Sequence, residues 1–157
     1  MIRKANINEA FAIRDLINSF AQEGLLLSLS LSDIYDRLRD FIVYEVSEQE
    51  GNNSANKIVG VCALHIIWEN LAEIRSLAVN TEYQKKGIGS RLVKSCLKEA
   101  TDLGVKKVFC LTYNREFFSL LGFRNIDKSE LPHKIWADCL KCSKFPECTE
   151  TAMIFEI

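Results

Sequence analysis

Leu71-Ala72-Glu73-Ile74-Arg75-Ser76-Leu77-Ala78-Val79 runs into Asn80-Thr81-Glu82-Tyr83-Gln84-Lys85-Lys86-Gly87-Ile88-Gly89-Ser90, and the change of texture between the two decides the fold. The first stretch reads as a strand, and its apolar residues from Ile74 to Val79 occur partly at both parities, as in a sheet covered on both faces. The second is polar and carries two glycines. Beyond it Ile88, Leu92, Val93, Cys96, Leu97 and Ala100 recur at helical spacing, and Gly104 ends that helix as a C′ residue. A turn that delivers a strand into a helix start leaves several amides unpaired and convergent, which makes it an anion cradle. Gly87 and Gly89 let the backbone approach a ligand, and Lys85 and Lys86 add charge where a pyrophosphate would lie. A solvated turn with two lysines is the competing reading. The loop is not a Walker A motif, and it lacks the third glycine of a dinucleotide fingerprint.

Working outward, Ile2 to Ala5 reads as a short strand, and Ile13, Leu16, Ile17 and Phe20 mark an amphipathic helix. Gly24 to Ser32 is a loop beside whatever site exists, followed by a second helix with Ile34, Leu38 and Phe41 on one face. Ile42, Tyr44 and Val46 alternate as a strand, the polar run Ser47 to Asn56 reads as a hairpin connection around Gly51-Asn52-Asn53, and Lys57 to Trp68 is a long strand. Leu71 to Val79 follows the turn at Glu69-Asn70. Past the central helix come a strand from Val105 to Tyr113 and a short helix from Arg115 to Leu121, capped by Asn114 and stopped by Gly122. After a polar, cysteine-containing loop, Ala152 to Ile157 closes the chain as a strand. Counting two strands after the short helix, the last of them Ala152 to Ile157, the order is β-α-α-β-β-β-α-β-α-β-β, an α/β (α+β) fold with a mixed, mostly antiparallel sheet and helices on both faces.

At 157 residues and 48% hydrophobic, the chain has the size and composition of one domain spanning 1–157. Twenty basic and 21 acidic residues leave a net charge of −1, so there is no global field for nucleic acid or an anionic membrane. No apolar run reaches the roughly 18 residues of a membrane span, and the N-terminus MIRKANINEA has no signal-peptide core, which points to the cytoplasm. Cys62, Cys96 and Cys110 lie in apolar runs and read as small buried hydrophobes. Cys139, Cys142 and Cys148 cluster, and with His133 they present three open alternatives: a structural zinc site, a disulfide or free thiols.

Gln84-Lys85-Lys86-Gly87-Ile88-Gly89 resembles the Q/R-x-x-G-x-G/A loop of the GNAT superfamily of acetyl-CoA-dependent N-acetyltransferases. Phe117-Phe118-Ser119-Leu120-Leu121-Gly122-Phe123 is similar to that superfamily's F-Y-x-x-L-G-F segment, and the preceding strand and following helix agree. Within the superfamily the chain resembles the acetyltransferase domain of N-acetylglutamate synthases and their short stand-alone relatives. The residues that carry this are Ile2-Arg3-Lys4-Ala5, Glu23-Gly24-Leu25-Leu26, Leu111-Thr112, Leu131-Pro132, Trp136 to Cys142 and Cys148-Thr149-Glu150.

The resemblance implies an amino-acid N-acetyltransferase with acetyl-CoA as cosubstrate, a small-molecule amine as acceptor, a place in arginine biosynthesis and, as in many superfamily members, a homodimer. It implies that the backbone of Leu77, Ala78 and Val79 runs beside the pantetheine arm, with the Val79 amide donating to the thioester oxygen. The amides of Lys85 to Ser90 would hold the pyrophosphate, Gln84 belongs to the same motif, and Asn114, Phe117 and Phe118 would line the donor. Glu73 matches the glutamate that serves as base in the histone acetyltransferase branch. A carboxylate paired with Arg75 is the alternative, since period 2 puts both on one face of the strand. Arg75 and, from the late loop, Lys134 would receive an acceptor carboxylate. Phe118 stands where many members place a tyrosine acid, which leaves Tyr113 as the substitute proton donor; packing under the short helix is the alternative for Tyr113.

The chain departs from the glutamate synthases after the first helix. Where they carry basic residues in a G-x-L-x-R-R-S segment, it has Ser28-Leu29-Ser30, and a dicarboxylate needs more than one cation to replace its hydration. Two other functions therefore stand beside amino-acid acetylation: acetylation of protein N-termini and non-catalytic sensing of acetyl-CoA.

Overall fold

A computed structural model describes residues 1–132 and 150–157. The strands are β1 (Ile2–Lys4), β2 (Phe41–Glu50), β3 (Asn53–Trp68), β4 (Leu71–Val79), β5 (Lys107–Thr112), β6 (Arg124–Ile126) and β7 (Thr151–Glu156). The helices are α1 (Ala10–Ala21), α2 (Leu31–Asp36), α3 (Ile88–Asp102) and α4 (Arg115–Leu120). The sheet is seven-stranded in the order β1-β2-β3-β4-β5-β7-β6. Pairs β1–β2, β2–β3, β5–β7 and β6–β7 are antiparallel and β4–β5 is parallel, giving the mixed, mostly antiparallel sheet expected.

By packing, the chain divides into Met1–Leu64 with Ser76–Lys98 and His65–Arg75 with Glu99–Ile157. In the first unit Ala10, Ile13 and Ile17 of α1 are buried with Ile34, Phe41, Val43, Val61, Ala63 and Ala78, and Leu16 and Phe20 pack against them. The expected apolar face of α1 is therefore the buried one. Asn18 anchors the loop after α1: its side chain donates to the Leu29 carbonyl at 3.2 Å and accepts from the Leu29 amide at 3.1 Å. In the second unit Ile67, Phe109, Leu131, Ala152 and Ile154 form the core. Val59 to Leu64 are buried consecutively, as befits a strand covered on both faces.

One sequence expectation is corrected and another is refined. Phe41 does not share a helix face with Ile34 and Leu38. The α-helix ends at Asp36, a turn of 3₁₀ helix covers Leu38–Asp40, and Phe41 opens β2 opposite Ala63. The β-branched run Ile42-Val43 that follows favours the extended backbone. The polar run Ser47 to Asn56 is the hairpin connection expected, but all of it except the turn is strand. Its residues pair in register from Ser47↔Asn56 to Glu50↔Asn53, leaving Gly51, at φ +64°, and Asn52 as the turn. The pairing was hidden because most of these residues face water, so no apolar alternation marks them.

Gly60 lets α3 approach the sheet. A Cβ there would lie 3.0 Å from Leu92 Cδ1, 3.1 Å from Ile88 Cγ2 and 3.3 Å from Tyr44 Cβ. Gly60→Val is expected to cost about 1–3 kcal/mol through overpacking, read as a lower Tm with unchanged cooperativity.

At the β1 edge, Arg3 grips Glu9 through Nη1 at 2.8 Å and Nη2 at 2.6 Å, and Glu45 through Nε at 3.1 Å. The guanidinium hydrogen bond, more than any other influence, holds the Glu9 carboxyl below its ordinary pKa. A depressed carboxylate stabilises the fold above its unfolded-state pKa, near 4.3, and that contribution is lost as pH falls through the folded value. The Tm gap between wild type and Glu9→Gln is expected to be widest near neutrality and to close below about pH 4, checked by melts across the acid range.

Candidate active site

The turn from β4 into α3 is held open by its own side chains. The Asn80 amide donates to the Val59 carbonyl at 2.7 Å, and its side chain accepts from the Glu82 amide at 3.0 Å, capping a 3₁₀ turn over Thr81–Tyr83. Gln84 Nε2 donates to the Val79 carbonyl at 2.9 Å and ties the loop back to the strand it leaves. Lys85 and Gly87 both take left-handed backbone, at φ +63° and +82°. Alternation of this kind is the backbone pattern of an anion-binding nest. The helix begins at Ile88, and its first turn closes where the Arg91 amide donates to the Gly87 carbonyl at 3.1 Å. The amides of Ile88, Gly89 and Ser90 therefore lie in the first turn, where no carbonyl of the helix can reach them. A Cβ on Gly87 would meet nothing within 4 Å.

The basic residues of the loop are exposed, and the Lys86 ammonium lies 5.2 Å from the Tyr83 ring centroid. Ser28-Leu29-Ser30 is committed to folding: Leu29 is buried and bonded by Asn18, and Ser30 caps α2 by accepting from the Asp33 amide at 3.1 Å.

On β4, Glu73 is buried at 7% exposure and accepts a hydrogen bond from Arg75 Nε, while the Arg75 side chain is 15% exposed. The two thus share a face, as period 2 requires. Glu73 stands in register with Phe109 of β5, beside Cys110. Burial first, then the charges of Glu73 and Glu150, push the Cys110 thiol far above its ordinary value, so it remains a neutral thiol and no nucleophile. β4 itself breaks its regular backbone at Ser76, φ +55°, between Arg75 and Leu77.

Beyond β5 the Thr112 hydroxyl accepts from the Asn114 amide at 2.8 Å, and Asn114 caps α4 by accepting from the Phe117 amide at 3.2 Å. Tyr113 between them is 39% exposed, which is more open than an aromatic packed under the helix. Phe118 is buried edge-on between Phe117, at 5.0 Å between centroids, and Phe123, at 5.2 Å. Leu77 and Val79 are half-buried and Ala78 is buried. Lys134, His133, Cys139, Cys142 and Cys148 lie outside the described residues.

A strand that runs through this loop into an amphipathic helix on a mixed sheet leaves unpaired amides where an anion can be received. Residues 13–123 match the acetyltransferase (GNAT) family, and the chain belongs to it. It is an acetyl-CoA-dependent N-acetyltransferase. An uncharacterized N-acetyltransferase of Chlorobaculum tepidum is 39% identical over 153 residues, covering 98% of this chain and 94% of that protein. The amino-acid acetyltransferase of Mycobacterium tuberculosis is 33% identical over 87% of this chain and 75% of its own length. Among solved structures, N-acetylglutamate synthase from Neisseria gonorrhoeae, complexed with coenzyme A and N-acetyl-glutamate, superposes with a TM-score of 0.84 at 25% identity. That match takes in 99% of this chain and 34% of the synthase. No helix among the described residues is long and apolar enough to cross a membrane.

Proposed function

We propose that the enzyme acetylates the α-amino group of glutamate or another free amino acid, serving arginine biosynthesis in the cytoplasm, as a homodimer. The observation that carries the acceptor class is the Glu73–Arg75 pair: a buried carboxylate and a guanidinium on one face of β4 offer a base for an amine beside a bidentate partner for a carboxylate. Likeness to amino-acid acetyltransferases supports the same assignment.

In this reading the amides of Lys85 to Ser90 bind the pyrophosphate, Gln84 fixes the loop that carries them, and Leu77, Ala78 and Val79 line the pantetheine. The Val79 amide donates to the thioester oxygen, where negative charge builds as the amine attacks. Glu73 takes the amine's proton, the new C–N bond forms, and the C–S bond breaks. Tyr113 gives a proton to the departing thiolate. Arg75 and Lys134 hold the acceptor carboxylate. Asn114 acts by capping α4, which presents Phe117 and Phe118. Residues 1–157 work as one domain.

The test is steady-state release of CoA thiol from acetyl-CoA against glutamate, the other free amino acids, a polyamine and a short peptide. Multiple turnovers on an amino acid are expected. Turnover on the peptide alone would replace this reading with protein N-terminal acetylation. Tight acetyl-CoA binding without any turnover would replace it with a sensor.

A further inference from the structure

We propose that Glu48 and Tyr83 are positioning residues for acetyl-CoA, through which the β2–β3 hairpin holds the donor loop in its binding shape. The inference rests on reading that loop as the diphosphate site. The outer part of the hairpin is polar and largely exposed, so core packing does not account for it. It nevertheless carries Glu48, whose carboxylate accepts a hydrogen bond from the Tyr83 hydroxyl of the loop. Lys57, also on the hairpin, places its ammonium 3.9 Å from the same Glu48 oxygen and 5.9 Å from the Tyr83 centroid.

The Tyr83 ring also meets a basic residue of the loop itself. Lys86, two residues before the helix start, sits over the same Tyr83 ring. Fixing the phenol thus fixes the platform on which the Lys86 ammonium rests, in a segment bounded by the left-handed residues Lys85 and Gly87. A long lysine side chain loses much rotational freedom when ordered, so a preset platform leaves less ordering for the ligand to impose. A second link runs parallel to the first: Arg91 Nη1, in the first turn of α3, donates to the Tyr44 hydroxyl of β2 at 3.1 Å. Strand β2 therefore holds both the loop and the helix start. Glu48 chiefly raises the pKa of the Tyr83 phenol, keeping it protonated and able to donate.

The test uses the full chain and isothermal titration with acetyl-CoA for wild type, Glu48→Ala, Tyr83→Phe and the double variant, with melting curves alongside. Each single variant is expected to raise Kd about threefold to tenfold, the range of one ordinary intramolecular hydrogen bond, and the double variant no further, because both remove the same bond. With the acceptor the wild type turns over fastest, the acetyl-CoA KM should rise in step while kcat stays within about twofold. Additive losses, a fall in kcat at unchanged KM, or lower Tm with wild-type Kd would overturn the proposal. Wild type and both variants binding equally well, with Gly87→Val failing to bind, would sink the positioning role alone. A wild type that does not bind acetyl-CoA would sink the donor-site reading and this role together.

Discussion

Gly87→Val is expected to raise the Kd for acetyl-CoA at least about a hundredfold, equivalent to roughly 2.7 kcal/mol, while Gly104→Val leaves it within about twofold. The two glycines form a matched pair. Gly87 has φ +82° and Gly104 φ +84°, and a Cβ on either would meet nothing within 4 Å. Left-handed backbone costs an L residue about 1–2 kcal/mol, so both variants should lose similar stability, a Tm drop of about 2–8 °C for a chain of this length. They differ in place. Gly87 precedes α3 and Gly104 follows it, at opposite ends of a 15-residue helix about 22 Å long. Only the first belongs to the loop proposed to bind the donor, where a branched side chain is expected to intrude on the diphosphate. Titration calorimetry with paired thermal melts separates the shared strain from the local block. Equal loss of affinity in both variants, or retained affinity in Gly87→Val, would remove the loop from donor binding.

The features legible in the sequence are those whose physics is local. Periodicity of 3.6 residues exposed α1 and α3, because the face that repeats is the one that packs. Asn114 announced the start of α4 and Gly122 its end, since capping joins residues only a few positions apart. Glu73 and Arg75, two apart on a strand, could be placed on one face before any coordinates, and their pairing stood there as one of two readings. What stayed hidden depends on distant partners or on backbone that its residues do not advertise. Glu48 and Tyr83 are 35 positions apart and joined through a hairpin whose polar strands carry no alternation. Ser76 and Lys85 adopt left-handed backbone without being glycine, a conformation held by the surrounding structure rather than by local preference. Ser76 flanks the segment proposed to hold the donor and Lys85 lies within it, where the local rule is expected to yield to the site's needs.

Glu73→Gln is expected to lower kcat by about a hundredfold to ten-thousandfold, the usual contribution of a positioned general base, with Kd for acetyl-CoA within about twofold of wild type. Glutamine keeps the volume of the buried side chain and an oxygen for Arg75 Nε, so the shape of β4 should survive. The charge does not. Removing one partner of a fully buried ion pair costs about 3–5 kcal/mol, and the 15% exposure of the Arg75 side chain reduces that by letting water reach the guanidinium. Some loss of Tm is therefore expected under either role of Glu73, and stability alone cannot tell a base from a structural partner. The pH dependence can. If Glu73 takes the amine's proton, the acid limb of the kcat/KM profile belongs to its carboxyl and should vanish in the glutamine variant at temperatures where the protein stays folded. Arg75→Lys is the complementary change: it keeps a cation but not the planar fork, so it should raise the acceptor KM while acetyl-CoA binding is unchanged. A Glu73→Gln enzyme with wild-type kcat and an intact acid limb would leave Glu73 as the partner that orients Arg75, and the amine would have to lose its proton to another group.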